Sequence, residues 1–263
     1  MKTFSSQFFP TRALSLRSFR IISALFLLGS SLIPSYAKPL ADYGKTPSNG
    51  DDWLTFYYRN PRPDQLIPQL KAWSSEGTLQ DQNARGPLLG FLSAVFRQNA
   101  DQLENWYQQT LSLPAKDQEL INMAIWISNS KKSQQLLKKE LPQAFADKTP
   151  PDILTLKLDS TSALDLLWGY YFATGDSKAL LRIARMFRYA DAPKKVAGIP
   201  DGRTPLYTIL PKAAKWSISS NAQQHPKVLE DYKKMLASDQ LNDTEKKWLD
   251  ESLKQAENPP KQP

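Results

Sequence analysis

The sequence predicts an all-α protein, with antiparallel helical hairpins stacked as a solenoid or as an irregular helical array. Three observations carry this. The stretch Ser160–Ala190 holds two helix-period segments around a Gly175-Asp176 turn. In the first, Leu164, Leu167, Trp168, Tyr171 and Phe172 fall at i, i+3, i+4, i+7 and i+8. In the second, Leu180, Ile183, Ala184 and Phe187 form the apolar face. Similar spacing recurs from Trp53 to Leu253, with joins marked by many of the 20 prolines and 10 glycines. The alternating run Ile153–Leu158 would be a lone strand without a partner. An apolar fraction of 41% and an aromatic fraction of 11% can fill the core of one large domain or two small ones.

In chain order, Asp51 or Asp52 is expected to cap a short helix with Trp53, Phe56 and Tyr57 on one face. That aromatic cluster reads as a plug closing one end of a core, with a sugar or peptide platform as the functional alternative. Pro63 opens the next helix, which carries Leu66, Ile67, Leu70 and Trp73 and stops at Gly77. Asn83–Gln98 is apolar over a wide arc, and Gly86 and Gly90 allow another helix to approach closely. Asn99 and Gln102 resemble a capping box for a helix burying Leu103, Trp106, Tyr107 and Leu111. Pro114 starts a helix with Leu120, Ile121, Ala124 and Ile127 inward, ended by Asn129-Ser130. Lys131–Leu141 follows, with Lys131, Lys132, Lys138 and Lys139 on a solvated face.

Pro150-Pro151 marks a loop before the Ser160–Ala190 hairpin. Asp191–Gly202 is a second loop, and Thr204-Pro205 a helix start. Leu206, Ile209, Leu210, Ala213 and Trp216 continue the core pattern, with Pro211 kinking or restarting the helix. His225-Pro226 separates it from Lys227–Ala237, which buries Val228, Leu229, Tyr232 and Leu236. Asp243 or Thr244 caps a last helix through Trp248, Leu249 and Leu253.

The N-terminus reads as an address. Residues 1–20 are basic and lack acids, Ile21–Ile33 is apolar, and Ser35-Tyr36-Ala37 is a small-x-small cleavage pattern. Cleavage is expected after Ala37, placing the mature chain in a periplasm or outside the cell, without a membrane span. An uncleaved leader would tether it to a membrane. Lys2, Arg12, Arg17 and Arg20 lie in this leader, so half of the formal charge of +8 leaves with it. The remainder is too modest and too dispersed for a nucleic-acid binder. The expected organisation is a signal peptide (1–37), a flexible tether (38–50), two helical halves (51–146 and 160–256) joined by a linker (147–159), and a disordered tail (257–263).

The turns Phe96-Arg97-Gln98-Asn99, Trp126-Ile127-Ser128-Asn129 and Phe172-Ala173-Thr174-Gly175 each place an aromatic residue three positions before a helix-ending Asn or Gly. Leu167–Ala184 resembles one unit of the tetratricopeptide family, through Leu167, Tyr171, Gly175-Asp176 and Ala184. It departs at Leu180, where a small residue is usual, and lacks the early Trp-x-x-Leu-Gly order. The resemblance implies a stacked-hairpin array that binds proteins or peptides.

Motifs for chemistry are sparse. The chain has no cysteine, which excludes disulfides, thiol catalysis and thiolate metal sites. His225 is the sole histidine; beside a proline, it reads as a turn residue before it reads as a catalytic base. Asp117/Glu119 and Glu230/Asp231 lack calcium-loop spacing, and no phosphate loop, dinucleotide fingerprint or nucleophile elbow is present. No cofactor or metal is expected.

The chain therefore reads as an exported, non-enzymatic interaction scaffold or adaptor of the bacterial cell envelope. The alternatives are a glycan-acting enzyme with two carboxylates, or a membrane-tethered accessory factor. The candidate partner surface comprises Lys178, Arg182, Arg185, Arg188, Lys212 and Lys215, with Lys194 and Lys195 in the loop between them. Asp191 is the one acid near this group in sequence, so an acidic protein segment or an anionic envelope polymer would suit it.

Overall fold

The computed structural model describes residues 53–145, 148–191 and 208–258. These residues are all-helical, with no strand among them. The leader, the tether, the Thr204-Pro205 helix start and the last five residues lie outside them.

The chain enters at 53–59 as successive turns, not the expected helix. Tyr57, Arg59 and Asn60 each bond the carbonyl three residues back. The Tyr58 N–H donates to Phe172 O at 2.9 Å, a long-range bond that replaces a helical one. The aromatic cluster does form a plug: Trp53 and Tyr57 are buried and meet Phe91 edge-on, each at 5.2 Å between ring centroids. A single 3-10 turn from Pro63 leads into α1 (Leu66–Ser75), and left-handed Gly77 follows it.

Helix α2 (Gln82–Gln98) is capped by Asp81, whose carboxylate accepts the Asn83 N–H. At its end the Asn99 amide turns back to donate to Val95 O at 2.9 Å, so the capping box expected with Gln102 does not form. A 3-10 turn leads instead into α3 (Leu103–Thr110). Leu111, expected inside, falls just past that helix and is 44% exposed. Helix α4 (Ala115–Ser128) ends at left-handed Asn129, and α5 (Lys131–Glu140) starts from a Ser130/Ser133 capping box. The short α6 (Pro142–Phe145) follows.

The Ile153–Leu158 run forms no strand. Its N-terminal end is a turn, with Thr155 and Leu156 both bonding Asp152 O. The hairpin predicted for Ser160–Ala190 is present as α7 (Thr161–Thr174) and α8 (Ser177–Ala184). Gly175 is left-handed and Asp176 accepts the Lys178 N–H. A 3-10 turn, Arg185–Tyr189, extends it.

The last three helices are α9 (Leu210–Gln224), α10 (Pro226–Leu236) and α11 (Asp243–Glu257). Pro211 sits at the start of α9, where its missing N–H costs nothing. Asn242, rather than Asp243 or Thr244, caps α11, in a reciprocal box with Glu245.

The core is organised by α2, which packs against α7 and α4. At the α2–α7 crossing the two backbones nearly touch. A Cβ on Gly90 would lie 2.0 Å from Leu166 O, and one on Gly169 would lie 1.9 Å from Pro87 O. The close approach suggested by Gly86 and Gly90 thus has a partner glycine on the facing helix. These two helices stand on opposite sides of the 147–159 connection in sequence. At the C-terminal end α9 packs on α11 and α10.

Candidate interaction surface

Four of the six basic residues named above have partners inside the fold. The Arg182 guanidinium folds back onto the 152–158 segment, donating to Ile153 O at 3.0 Å and to Leu156 O. Burial pushes its pKa down, and Asp152 opposes that shift. Arg185 donates to Gln240 O at 3.4 Å. Arg188 holds Glu245 through Nε and Nη2, each at 2.9 Å, and that carboxylate is 2% exposed. The Lys215 ammonium meets Glu251 at 2.9 Å and lies 4.8 Å from the Trp248 ring centroid.

The sequence suggested Asp191 as the one neutralising group. The fold brings in Glu245 and Glu251 from α11 instead, while Asp191 accepts from Lys247 and from the Trp248 indole. Lys178 and Lys212 are exposed and have no ion-pair partner among the described residues. Lys194 and Lys195 lie outside the described residues.

The most exposed large apolar groups on one helix face are Trp216, at 51%, and Ile209, at 41%. Both were expected in the core. The stripe that α9 buries is instead Leu210, Ala214 and Ile218, with Ser217 beside it. Ser219 Oγ donates to Ser252 O at 2.9 Å and Lys215 clasps Glu251, which fixes the helix against α11. Ile209, Lys212 and Trp216 are thereby turned outward, while Ala213 is half-buried against the core. Helix α9 carries two lysines and no acid.

The titratable groups of the interior are tied into packing. His225 is 2% exposed, with the rings of Phe56 and Phe172 at 4.6 and 5.0 Å. Burial, aided by the Arg59 charge, pushes its pKa down to about 4, so it is neutral at physiological pH. Asp231 accepts from the Lys227 ammonium at 2.8 Å and from the Tyr171 hydroxyl at 3.3 Å. Burial raises the pKa of Tyr171 and of Tyr232. Asp117 is fully buried and accepts from Ser74 Oγ at 2.5 Å. No group of three or more metal-ligating side chains clusters among the described residues.

Asp165 differs from these. It sits on α7 against Gly86, and burial alone pushes its pKa up to about 7 from an ordinary 3.8. The folded state therefore holds this proton where the unfolded chain has lost it. Its stabilising contribution is full below about pH 4 and is lost as pH rises through about 7. Asp165→Asn should leave Tm nearly unchanged at about pH 4 and raise it at about pH 8, removing that part of the pH dependence. Calorimetric scans across this range check it; parallel Tm profiles for both proteins would show that the carboxyl ionises normally.

No match was found between this chain and known protein families, curated proteins or solved structures.

Proposed function

We propose that the protein is a non-enzymatic interaction scaffold of the bacterial cell envelope. In this reading it is exported by cleavage after Ala37, its hairpins stack in a tetratricopeptide-like manner, and an acidic protein segment docks on the outer face of α9. The observation that carries the reading is Trp216, held in solvent beside Ile209 and Lys212 on a firmly packed helix. Tryptophan dominates the energetic centres of protein interfaces. An apolar stripe with one unpaired cation, on a helix without acids, complements a partner that is apolar and acidic. Lys212 lies on this stripe, and Lys178 is the second unpaired cation of the six candidate residues.

The two-carboxylate alternative needs two acids facing across one cleft. The cleft beside Arg97 is lined by one acid, Asp152. The shallow surface along α10 has Glu230, which is paired with Lys234 at 2.6 Å.

A photo-crosslinking residue at position 216 tests the docking face in cells making the full chain. It should give a discrete adduct that weakens as salt is raised, because exposed charges are screened over about 8 Å at physiological ionic strength. The same residue at exposed position 138 on α5 should not. Equal labelling from both positions, or none from 216, would remove α9 as the docking face.

A further inference from the structure

We infer that His225 is an acid-operated latch: its neutral ring holds the 53–60 turn against α7 and α10, and its protonation releases that turn. The ring is buried where three elements meet. His225 is the N-cap residue of α10, although its side chain caps no helix N–H. The Phe56 ring of the entering turn lies at 4.6 Å, and the Phe172 ring near the end of α7 lies at 5.0 Å. Tyr58, also of the turn, has its ring at 6.3 Å and donates its backbone N–H to Phe172 O. The imidazole thus packs beside the backbone bond by which the turn grips α7.

This pocket suits an uncharged ring. The Nδ1 atom is buried without a hydrogen-bond partner among the described residues. An imidazolium carries a donor on each nitrogen, and a buried donor left unpaired is costly. The charged groups on the packed elements do not offset that cost. The turn brings Arg59, whose guanidinium lies 5.1 Å from the Phe56 centroid and 5.8 Å from that of Tyr58. It has the same sign as an imidazolium. Helix α10 brings Lys227 and Asp231, which pair with each other at 2.8 Å, and α7 brings Tyr171, which donates to that same carboxylate. The last residue of α9, Gln224, is uncharged. Burial, and after it the Arg59 charge, moves the His225 pKa from 6.5 down to about 4. With the turn released, the ring regains water and its ordinary value. The latched form is therefore fully stabilised above about pH 6.5 and loses that stabilisation as pH falls toward about 4. Over this interval the ratio of released to latched chains rises about tenfold per pH unit, about a hundredfold or more in all. The 53–60 segment is the part that yields, because it is built of successive turns while α7 is locked to α2 by backbone contact.

Nuclear magnetic resonance on the full chain tests this. His225 is the only histidine, so its ring signals identify themselves, and they should titrate below pH 6.5. Hydrogen exchange at the Tyr58 N–H, corrected for the intrinsic pH dependence of exchange, should lose about a hundredfold of its protection between about pH 7 and pH 4. The amides of α2 and α7 should keep theirs. His225→Phe keeps a ring in the pocket and cannot take a proton, so in this variant the Tyr58 N–H should stay protected at about pH 4. The outward face of α9 takes no part in the latch, so its failure leaves the crosslinking test at position 216 untouched. An imidazole that titrates at its ordinary pH in the folded chain overturns the inference. So does a His225→Phe protein that loses Tyr58 protection as the wild type does, or an acid opening in which α2 and α7 lose protection together with the turn.

Discussion

Gly169→Ala and Gly90→Ala should each destabilise the protein by about 3 kcal/mol or more, although alanine is the better helix former by about 1 kcal/mol. The distances decide the sign. The new methyl carbon would stand 1.9 Å from Pro87 O in one variant and 2.0 Å from Leu166 O in the other. Both obstacles are backbone atoms in a packed crossing, so no side chain can swing aside. The helices must separate, which loosens Leu88, Phe91, Leu92, Leu167 and Phe172 together. Both substitutions force the same separation, so the double variant should lose less than the sum of the singles. Urea unfolding of the three variants measures this. A stabilised Gly169→Ala protein would mean that α2 and α7 do not meet at backbone contact.

Trp168→Ala should cost about 3–5 kcal/mol, the range for emptying a large aromatic site. The side chain is 1% exposed and stacks on Phe172 at 5.9 Å, with Tyr171 edge-on at 6.3 Å. Its indole N–H is buried without an acceptor among the described residues. Trp168→Phe should therefore be much milder, since it removes an unsatisfied donor while keeping most of the volume. Thermal unfolding of the pair separates the two effects. Equal losses would assign the cost to the indole nitrogen, and a neutral Trp168→Ala would place the ring outside the core.

Local features were the legible ones. Gly175, Asp176 and the apolar spacing on either side act within a few residues, and α7–α8 follows from them. Gly86 and Gly90 announced a close crossing but could not name Gly169, which lies far along the chain. The register of α9 was misread for a definable reason. Ile209, Ala213 and Trp216 keep the same helical spacing as Leu210, Ala214 and Ser217, and periodicity alone cannot say which stripe faces inward. The contacts to α11, through Lys215 and Ser219, make that choice. The basic face was misjudged for the same reason of distance: Glu245 and Glu251 approach from another helix. At the other end, the turn at 53–59 could not be anticipated because the Tyr58 N–H spends its bond on Phe172.

The α2–α7 crossing also sets an order of assembly. A chain made from its N-terminus completes α2 well before α7 exists. Until α7 emerges, the groove at Gly90 and the part of the apolar arc that α7 covers have nothing to close them. The first half is therefore a waiting intermediate, exposed to misassociation for the time needed to make α3 to α7. Its rescue comes from a contact of high sequence separation, the kind that slows folding. Truncation before α7 should thus leave a fragment dependent on chaperones, even though every helix up to that point is present.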